Sequence, residues 1–215
     1  MRKLTLKMSM SIDGFVGGPN GEIDWIFNSA DEEVTAWLLE MLWETGVHVM
    51  GSRTFQDMAA YWPYSTEPLA APMNEIPKIT FSRTRAAAAT KSGRTTTALN
   101  DANRVKPVDR HTGSPATAKD VESWNNAIVA GDDLAAEIAL LKQQPGKDIL
   151  AHGGVSFARS LVELDLIDEY RLLVHPVAIG KGQSIFSDVS APRSFTLVDV
   201  KAFGSGAVAH TYHPQ

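Results

Sequence analysis

The sequence predicts an α/β protein with one mixed, mostly parallel sheet, helices on both faces and a C-terminal antiparallel hairpin. The first observation is that short strand-like runs alternate with amphipathic patterns of helical length, which indicates crossover units and parallel strands. The second is that the last strand-like runs, 195–201 and 207–212, have no helix between them, which favours antiparallel pairing. We see no internal repeat and no linker that would divide two cores.

Composition limits the possible functions. The chain has 215 residues, no Cys and a net charge of −5. This length fits one domain over 1–215, and the lack of Cys excludes disulfides, thiolate metal sites and cysteine nucleophiles. No metal site is predicted, because the His residues never adopt a tight ligand spacing. An acidic chain without a long apolar run is expected to bind neither nucleic acid nor membrane, and we expect a cytoplasmic protein.

The first predicted strand alternates apolar and polar residues, which indicates one buried face. Its apolar positions are Leu4, Leu6, Met8, Met10 and Ile12. The glycine-rich loop 13–25 follows, and it is long enough to act as a lid or to be a plain surface loop. Ser29 and Glu32 have the spacing of a capping box, which predicts that an amphipathic helix begins at Ser29. Gly46 is expected to end that helix.

The next elements are a strand over 47–50, a short helix that turns Phe55, Met58 and Ala59 inward, and a strand over 78–81. Residues 86–123 show no usable periodicity and are rich in Thr, Ala, Arg, Asp and Pro. We therefore expect a flexible insertion there.

Regular patterns resume with a strand over 127–130 and a helix that Asp132 or Asp133 opens. A strand over 148–151, a sharp turn at Gly153 and Gly154, and a helix over 156–164 follow. A strand over 170–175 then precedes the hairpin strands already described.

Three loops carry the unusual residues, and each follows a predicted strand. Ligands of open α/β sheets bind beyond the carboxyl ends of the strands, so the three loops could share one ligand. Each loop also has a plain structural interpretation, as a capped turn, a solvated loop with a surface Arg, or a common glycine turn. The residues are Gly51, Ser52, Arg53 and Thr54 in the first loop, Ser82, Arg83 and Thr84 in the second, and Gly153, Gly154, Val155 and Ser156 in the third.

Asp31 has two possible roles. It lies beside Glu32 and Glu33 at the start of a predicted helix, where acidic side chains complement the helix dipole without any function. The alternative is a catalytic acid.

Taken in order, these segments resemble the dihydrofolate reductase superfamily, and within it the reductase domain of the bifunctional riboflavin-biosynthesis deaminase–reductase. The resemblance spans nearly the whole chain except 86–123, and it implies a dihydrofolate reductase-like three-layer fold. The motifs that carry it are SIDGFV at 11–16, MGSRTF at 50–55, KITFSRT at 78–84, HGGVSFARSL at 152–161 and LIDEYRLLVHPVAIGKG at 166–182.

The resemblance implies NADPH as the cofactor. By position, Arg53 and Thr54, in the loop with Gly51, would hold the adenosine and pyrophosphate. Ser82 and Arg83, with Thr84 beside them, would hold the 2′-phosphate. Val16 and Gly17 would flank the nicotinamide. The pyrophosphate would also be held by Gly153, Gly154, Val155, Ser156 and Phe157, with a cis peptide between the two glycines.

The resemblance also makes Asp31, six residues after Trp25, the candidate for the acid that folate reductases use to deliver a proton. However, Asp24 stands where folate reductases commonly carry Pro, and the deaminase half of the riboflavin enzyme has no counterpart here.

The leading hypothesis is therefore an NADPH-dependent reductase of a small heterocycle such as a pterin, a pyrimidine or a flavin-like compound. One alternative is a non-catalytic nucleotide-binding protein, and another is an interaction module on the same scaffold. The resemblance also leads us to expect a homodimer.

Overall fold

The computed structural model describes residues 1–82, 117–130 and 133–215, and its centre is an eight-stranded sheet of order β4-β3-β2-β5-β1-β6-β8-β7. Strands β1 to β6 pair in parallel, and β8 pairs antiparallel with both β6 and β7. This confirms the predicted mixed sheet and its C-terminal hairpin. The strands are β1 (Leu4–Ser11), β2 (Thr45–Gly51), β3 (Lys78–Phe81), β4 (Ile128–Ala130), β5 (Asp148–Ala151), β6 (Glu169–His175), β7 (Phe195–Ala202) and β8 (Val208–Pro214).

Helices cover both faces of the sheet, as predicted. Two of them, α5 and α6, pack on the face that presents Leu4, Leu6 and Met8 of β1. The other four pack on the opposite face, around Met50 of β2 and Leu150 of β5. In the described ranges, no helix has the length and apolar character needed to cross a membrane. The helices are α1 (Glu32–Trp43), α2 (Ser52–Ala59), α3 (Ala70–Glu75), α4 (Ala118–Asn125), α5 (Leu134–Gln143) and α6 (Val155–Glu163).

The start and end of α1 differ from the prediction. Asp31, not Ser29, is the N-cap, and its side chain accepts from the backbone N–H of Val34. Ser29 instead ends a 3-10 helix over Asp24–Ser29, and its hydroxyl is used in a bond to a histidine described below. Gly46 does not end the helix, because α1 stops at Trp43 and Gly46 already belongs to β2. Asp133, one of the two predicted caps, does open α5.

Helix α4 was not predicted, and it occupies residues 118–123 of the segment expected to be a flexible insertion. It is held by partners that are distant in the sequence. Trp124 Nε1 donates to Asn74 Oδ1 at 2.7 Å, and Lys78 Nζ donates to Ser123 Oγ at 2.5 Å while lying 4.8 Å from the centre of the Trp124 ring. The rest of that segment lies outside the described residues, so the expectation that it is flexible stays a prediction.

Strand β1 is buried on both faces, whereas its alternating pattern predicted a single buried face. It lies between β5 and β6 in the middle of the sheet. Ser9 is paired with Leu173, which packs against Val34 of α1, so α1 covers the side that carries the polar residues of β1. Thr5 and Ser11 on that side are 6% and 1% exposed. A layer of polar side chains is therefore enclosed between the centre of the sheet and α1.

Candidate active site

The loops after β2 and β5 lie directly against each other. A Cβ atom added to Gly154 would lie 2.6 Å from Thr54 Oγ1, and one added to Gly51 would lie 3.1 Å from Phe157 Cβ. These glycines thus allow two backbone segments to approach more closely than any larger residue would permit. The structure brings together the first and third of the predicted loops.

Two helices begin side by side at this edge of the sheet, and both start from a glycine. Gly51 is the N-cap of α2 and Gly154 is the N-cap of α6, so neither helix has a side-chain cap among the described residues. Neither has an acidic residue in its first turn. The first N–H groups of both helices can therefore donate hydrogen bonds to a ligand, and their partial positive charge favours an anion. By contrast, Asp31 and Asp133 cap α1 and α5.

The expected cis peptide between Gly153 and Gly154 is wrong, because no cis peptide occurs in the described part of the chain. The turn is made instead by Gly154, whose φ of 102° lies in the region that glycine tolerates. A trans bond avoids the cost of about 3 kcal/mol that a non-proline cis bond carries.

Val16 and Gly17 lie on a segment that is fixed to the loop after β6. Val16 N donates to Gln183 O at 2.8 Å, and Gln183 N donates to Gly17 O at the same distance. The Asp13 carboxylate accepts from the backbone N–H groups of Ile179 and Gly180. Residues 13–17, the first part of the expected lid, are therefore fixed to the loop after β6 at Asp13 and again at Val16 and Gly17.

The remaining predicted cofactor residues differ in exposure. Arg53 is exposed in the first turn of α2, and Ser82 is buried directly after β3. Arg83 and Thr84 lie outside the described residues. In the first turn of α6, Val155 is half-buried, Ser156 is exposed and Phe157 stacks on Phe81 with ring centres 5.3 Å apart.

Asp31 is engaged by structural hydrogen bonds. Its Oδ1 accepts from Val34 N at 2.7 Å, and its Oδ2 accepts from Ser205 N at 3.0 Å in the turn between β7 and β8. The bond from Val34 N is the main cause that lowers the pKa of this carboxyl below its usual value. An ionised carboxylate in this setting serves as a helix cap, and its predicted catalytic role stays a prediction.

The polar layer on the α1 side of the sheet was missed by the sequence reasoning. Lys7 lies on β1 and is partly buried, and burial lowers the pKa of its ammonium group to about 8. His175 at the end of β6 is 2% exposed, and its Nδ1 lies 2.7 Å from Ser29 Oγ. Trp25 packs edge-on against this ring at a centre-to-centre distance of 5.7 Å.

Lys7 also acts electrostatically on two histidines. Burial, together with the smaller effect of the Lys7 charge, lowers the pKa of His175 to about 4. His152, which directly follows β5, has its pKa lowered by burial, by His48 and by Lys7. Burial and the Lys7 charge thus both favour the neutral forms of His152 and His175.

A signal for this polar layer was present in the sequence. Lys7, Ser9 and Ser11 occupy alternate positions of one strand, and a polar alternation is normally assigned to a solvated face. In a parallel α/β sheet, however, central strands are covered on both sides. A Lys on the second face of a central strand therefore marks a candidate site.

Comparison with known proteins agrees with this fold. The RibD C-terminal domain family matches residues 2–209. The uncharacterized protein YyaP of Bacillus subtilis (strain 168) is 29% identical over 217 residues, which cover 99% of this chain and 95% of YyaP.

Solved structures are similar at lower identity. One is a protein from Shewanella sp. PV-4 assigned provisionally to riboflavin biosynthesis, with a TM-score of 0.63, 20% identity and coverage of 100% of this chain and 99% of that one. Another is the diaminohydroxyphosphoribosylaminopyrimidine deaminase/5-amino-6-(5-phosphoribosylamino)uracil reductase of Thermotoga maritima, with a TM-score of 0.59 and 16% identity. The match covers 100% of this chain and 57% of the Thermotoga protein.

Proposed function

Because this chain belongs to the RibD C-terminal domain family, we propose that it is an NADPH-dependent reductase that acts on a small heterocycle. The observation that carries the proposal is the pair of helix N-termini at Gly51 and Gly154. Two adjacent helices with uncapped N–H groups and no acid in the first turn suit the two phosphates of a dinucleotide.

The chain's own residues would bind and orient the cofactor. The N–H groups that follow Gly51 and Gly154 would hold the pyrophosphate, and the close contact of Gly154 with Thr54 would fix the distance between the two helices. Val16 and Gly17 would lie beside the nicotinamide, held by their bonds to Gln183. Ser82 and Arg83 would hold the 2′-phosphate, since Arg binds such a dianion through paired hydrogen bonds.

A reduced nicotinamide, when bound, supplies the hydride. The protein then has to align the heterocycle and handle one proton. Lys7 is the best-placed proton carrier in the described chain, because its lowered pKa of about 8 is close to neutral and it belongs to the enclosed polar layer on the α1 side. Ser9 Oγ accepts from Lys7 Nζ at 3.2 Å, which restrains the ammonium group.

The proposal is tested by two measurements on the full chain. Fluorescence titration with NADPH should show saturable binding, and NADPH oxidation should be detected with at least one member of a pterin, pyrimidine and flavin panel. Binding without oxidation of any panel member would favour a non-catalytic nucleotide-binding protein. No binding of NADPH or NADH would overturn the proposal.

A further inference from the structure

His48 and His152 form a hydrogen-bonded pair whose direction is set by a backbone carbonyl. His48 Nε2 lies 3.3 Å from the carbonyl oxygen of Pro72, and His48 Nδ1 lies 2.8 Å from His152 Nε2. A carbonyl oxygen can only accept, so the proton of a neutral His48 is on Nε2. His48 Nδ1 is then an acceptor, and the bond between the rings requires a proton on His152 Nε2.

Both rings are neutral near pH 7, because burial disfavours their charged forms. His48 is fully buried, and burial lowers its pKa to about 3. Burial also lowers the pKa of His152 well below its usual value, and the Lys7 charge acts in the same direction. With its only proton on Nε2, His152 carries a bare lone pair on Nδ1.

The free nitrogen faces away from its partner, on a residue that adjoins the Gly153–Gly154 turn. The two nitrogens of an imidazole point in widely different directions, so Nδ1 is directed away from His48. It makes no hydrogen bond within the described ranges, although His152 is only 8% exposed. His152 directly precedes Gly153 and Gly154, so it lies where the pyrophosphate loop meets the polar layer around Lys7.

We propose that His152 Nδ1 is the hydrogen-bond acceptor that selects neutral heterocycles with a ring N–H, and that His48 is the positioning residue that holds His152 in the required tautomer. The assignment of this nitrogen to substrate binding rests on the proposed function, whereas the assignment of the tautomer does not. A heterocycle without the N–H leaves a nearly buried acceptor unpaired, which disfavours its binding. A cationic heterocycle is disfavoured by Lys7.

The tautomer is tested by the ¹⁵N chemical shifts of the histidine rings, which distinguish a protonated nitrogen from a bare one. In the parent protein at pH 7.5 we expect His152 to have a protonated Nε2 and a bare Nδ1. His48→Asn places an amide oxygen near the position of the lost Nδ1, so His152 should keep this tautomer. In His48→Phe that acceptor is missing, and His152 should become a mixture of its two neutral tautomers. A protonated Nδ1 in the parent protein would overturn the proposal, and so would an unchanged His152 spectrum in a folded His48→Phe variant.

The acceptor role is tested with 2-pyridone and N-methyl-2-pyridone, which differ at the ring N–H. We expect 2-pyridone to shift the His152 Nδ1 resonance in the parent and in His48→Asn, and N-methyl-2-pyridone to bind at least about tenfold more weakly, which corresponds to about 1.4 kcal/mol. Equal effects of the two compounds, or no effect of either, would overturn the acceptor role. NADPH titration of the same samples shows separately whether the proposed function fails, because neither NMR experiment needs the cofactor.

Discussion

Gly154 lies so close to Thr54 that a Cβ atom on the glycine would come within 2.6 Å of the threonine hydroxyl oxygen. Gly154 also has a φ of 102°. We predict that Gly154→Ala lowers the free energy of unfolding by about 1–3 kcal/mol through backbone strain, and weakens NADPH binding at least about tenfold because the two helices are pushed apart. Thermal unfolding and fluorescence titration measure the two effects.

Gly146→Ala is the matched control for this variant. Gly146 has a φ of 133° and lies before β5, at the opposite end of the strand from Gly154. Only Arg2 atoms at 4.0 Å would meet its added Cβ. Its replacement should reduce stability through backbone strain and leave NADPH affinity unchanged. Equal losses of affinity in the two variants would contradict the assigned role of the Gly154 loop.

Arg83 is predicted to distinguish NADPH from NADH. A charge-assisted hydrogen bond contributes roughly 1.5–3 kcal/mol, so Arg83→Ala should weaken NADPH binding about 10- to 150-fold. NADH lacks the 2′-phosphate, and its affinity should change little. The ratio of the two dissociation constants is the measurement. An equal loss for both cofactors would mean that Arg83 holds a part they share.

Lys7 is predicted to carry the proton in the reduction. Lys7→Met should lower turnover about 10²- to 10⁴-fold while NADPH affinity is retained, which is the range typical of a general acid. Lys3→Met is the control, since Lys3 precedes the same strand but its side chain is 52% exposed. In the parent enzyme, activity should fall as pH rises through about 8, where Lys7 loses its proton. Unchanged turnover in Lys7→Met would refute the role.

Asp31→Asn separates the two roles of that residue. From the geometry we expect a loss of roughly 0.3–1 kcal/mol of stability, because the amide removes the negative charge at the helix N-terminus and brings an N–H group toward Ser205 N, while its oxygen still caps the helix. Asp133→Asn alters another N-cap, at α5, and should cost about a few tenths of a kcal/mol, because Asn caps a helix nearly as well as Asp. If Asp31 is also the catalytic acid, only its variant will slow turnover at neutral pH. Kinetics and urea unfolding of both variants decide between the roles.

Buried neutral histidines should make the fold sensitive to acid. His48 and His175 have folded-state pKa values of about 3 and about 4, below their usual value of 6.5. The unfolded chain therefore binds protons below pH 6.5 that the folded chain does not, and stability falls as pH decreases. Each group contributes up to about 1.4 kcal/mol per pH unit.

Urea unfolding between pH 6.5 and 5.0 measures how the free energy of unfolding depends on pH. This range is chosen because most carboxylates titrate below it. We expect a steep fall in the parent protein, and in His175→Phe a slope that is smaller by up to about 1.4 kcal/mol per pH unit. A flat profile in the parent protein would show that these rings are protonated in the fold.

Local patterns were sufficient to predict most of the sheet, because the alternation of apolar and polar residues marks each strand. They also predicted that the loops after β2 and β5 meet, because parallel strands end at the same edge of a sheet. Features that depend on distant partners could not be predicted in this way. Ser29 and Asp31 are equally good caps by type, and the choice depends on His175, which binds the Ser29 hydroxyl. Likewise, α4 is held by Asn74 and Lys78, and nothing in its own sequence indicates those contacts.

The central position of β1 has a consequence for how the chain folds during synthesis. Leu4 pairs with Ile149 and Leu6 with Tyr170, so β1, which is synthesised before the other strands of this sheet, is joined on both sides by strands made later. Until β5 and β6 emerge, the apolar residues of β1 have no sheet to enter, and pairings between such distant segments form slowly. We expect the nascent chain to depend on chaperones that shield β1 until β5 and β6 have been made.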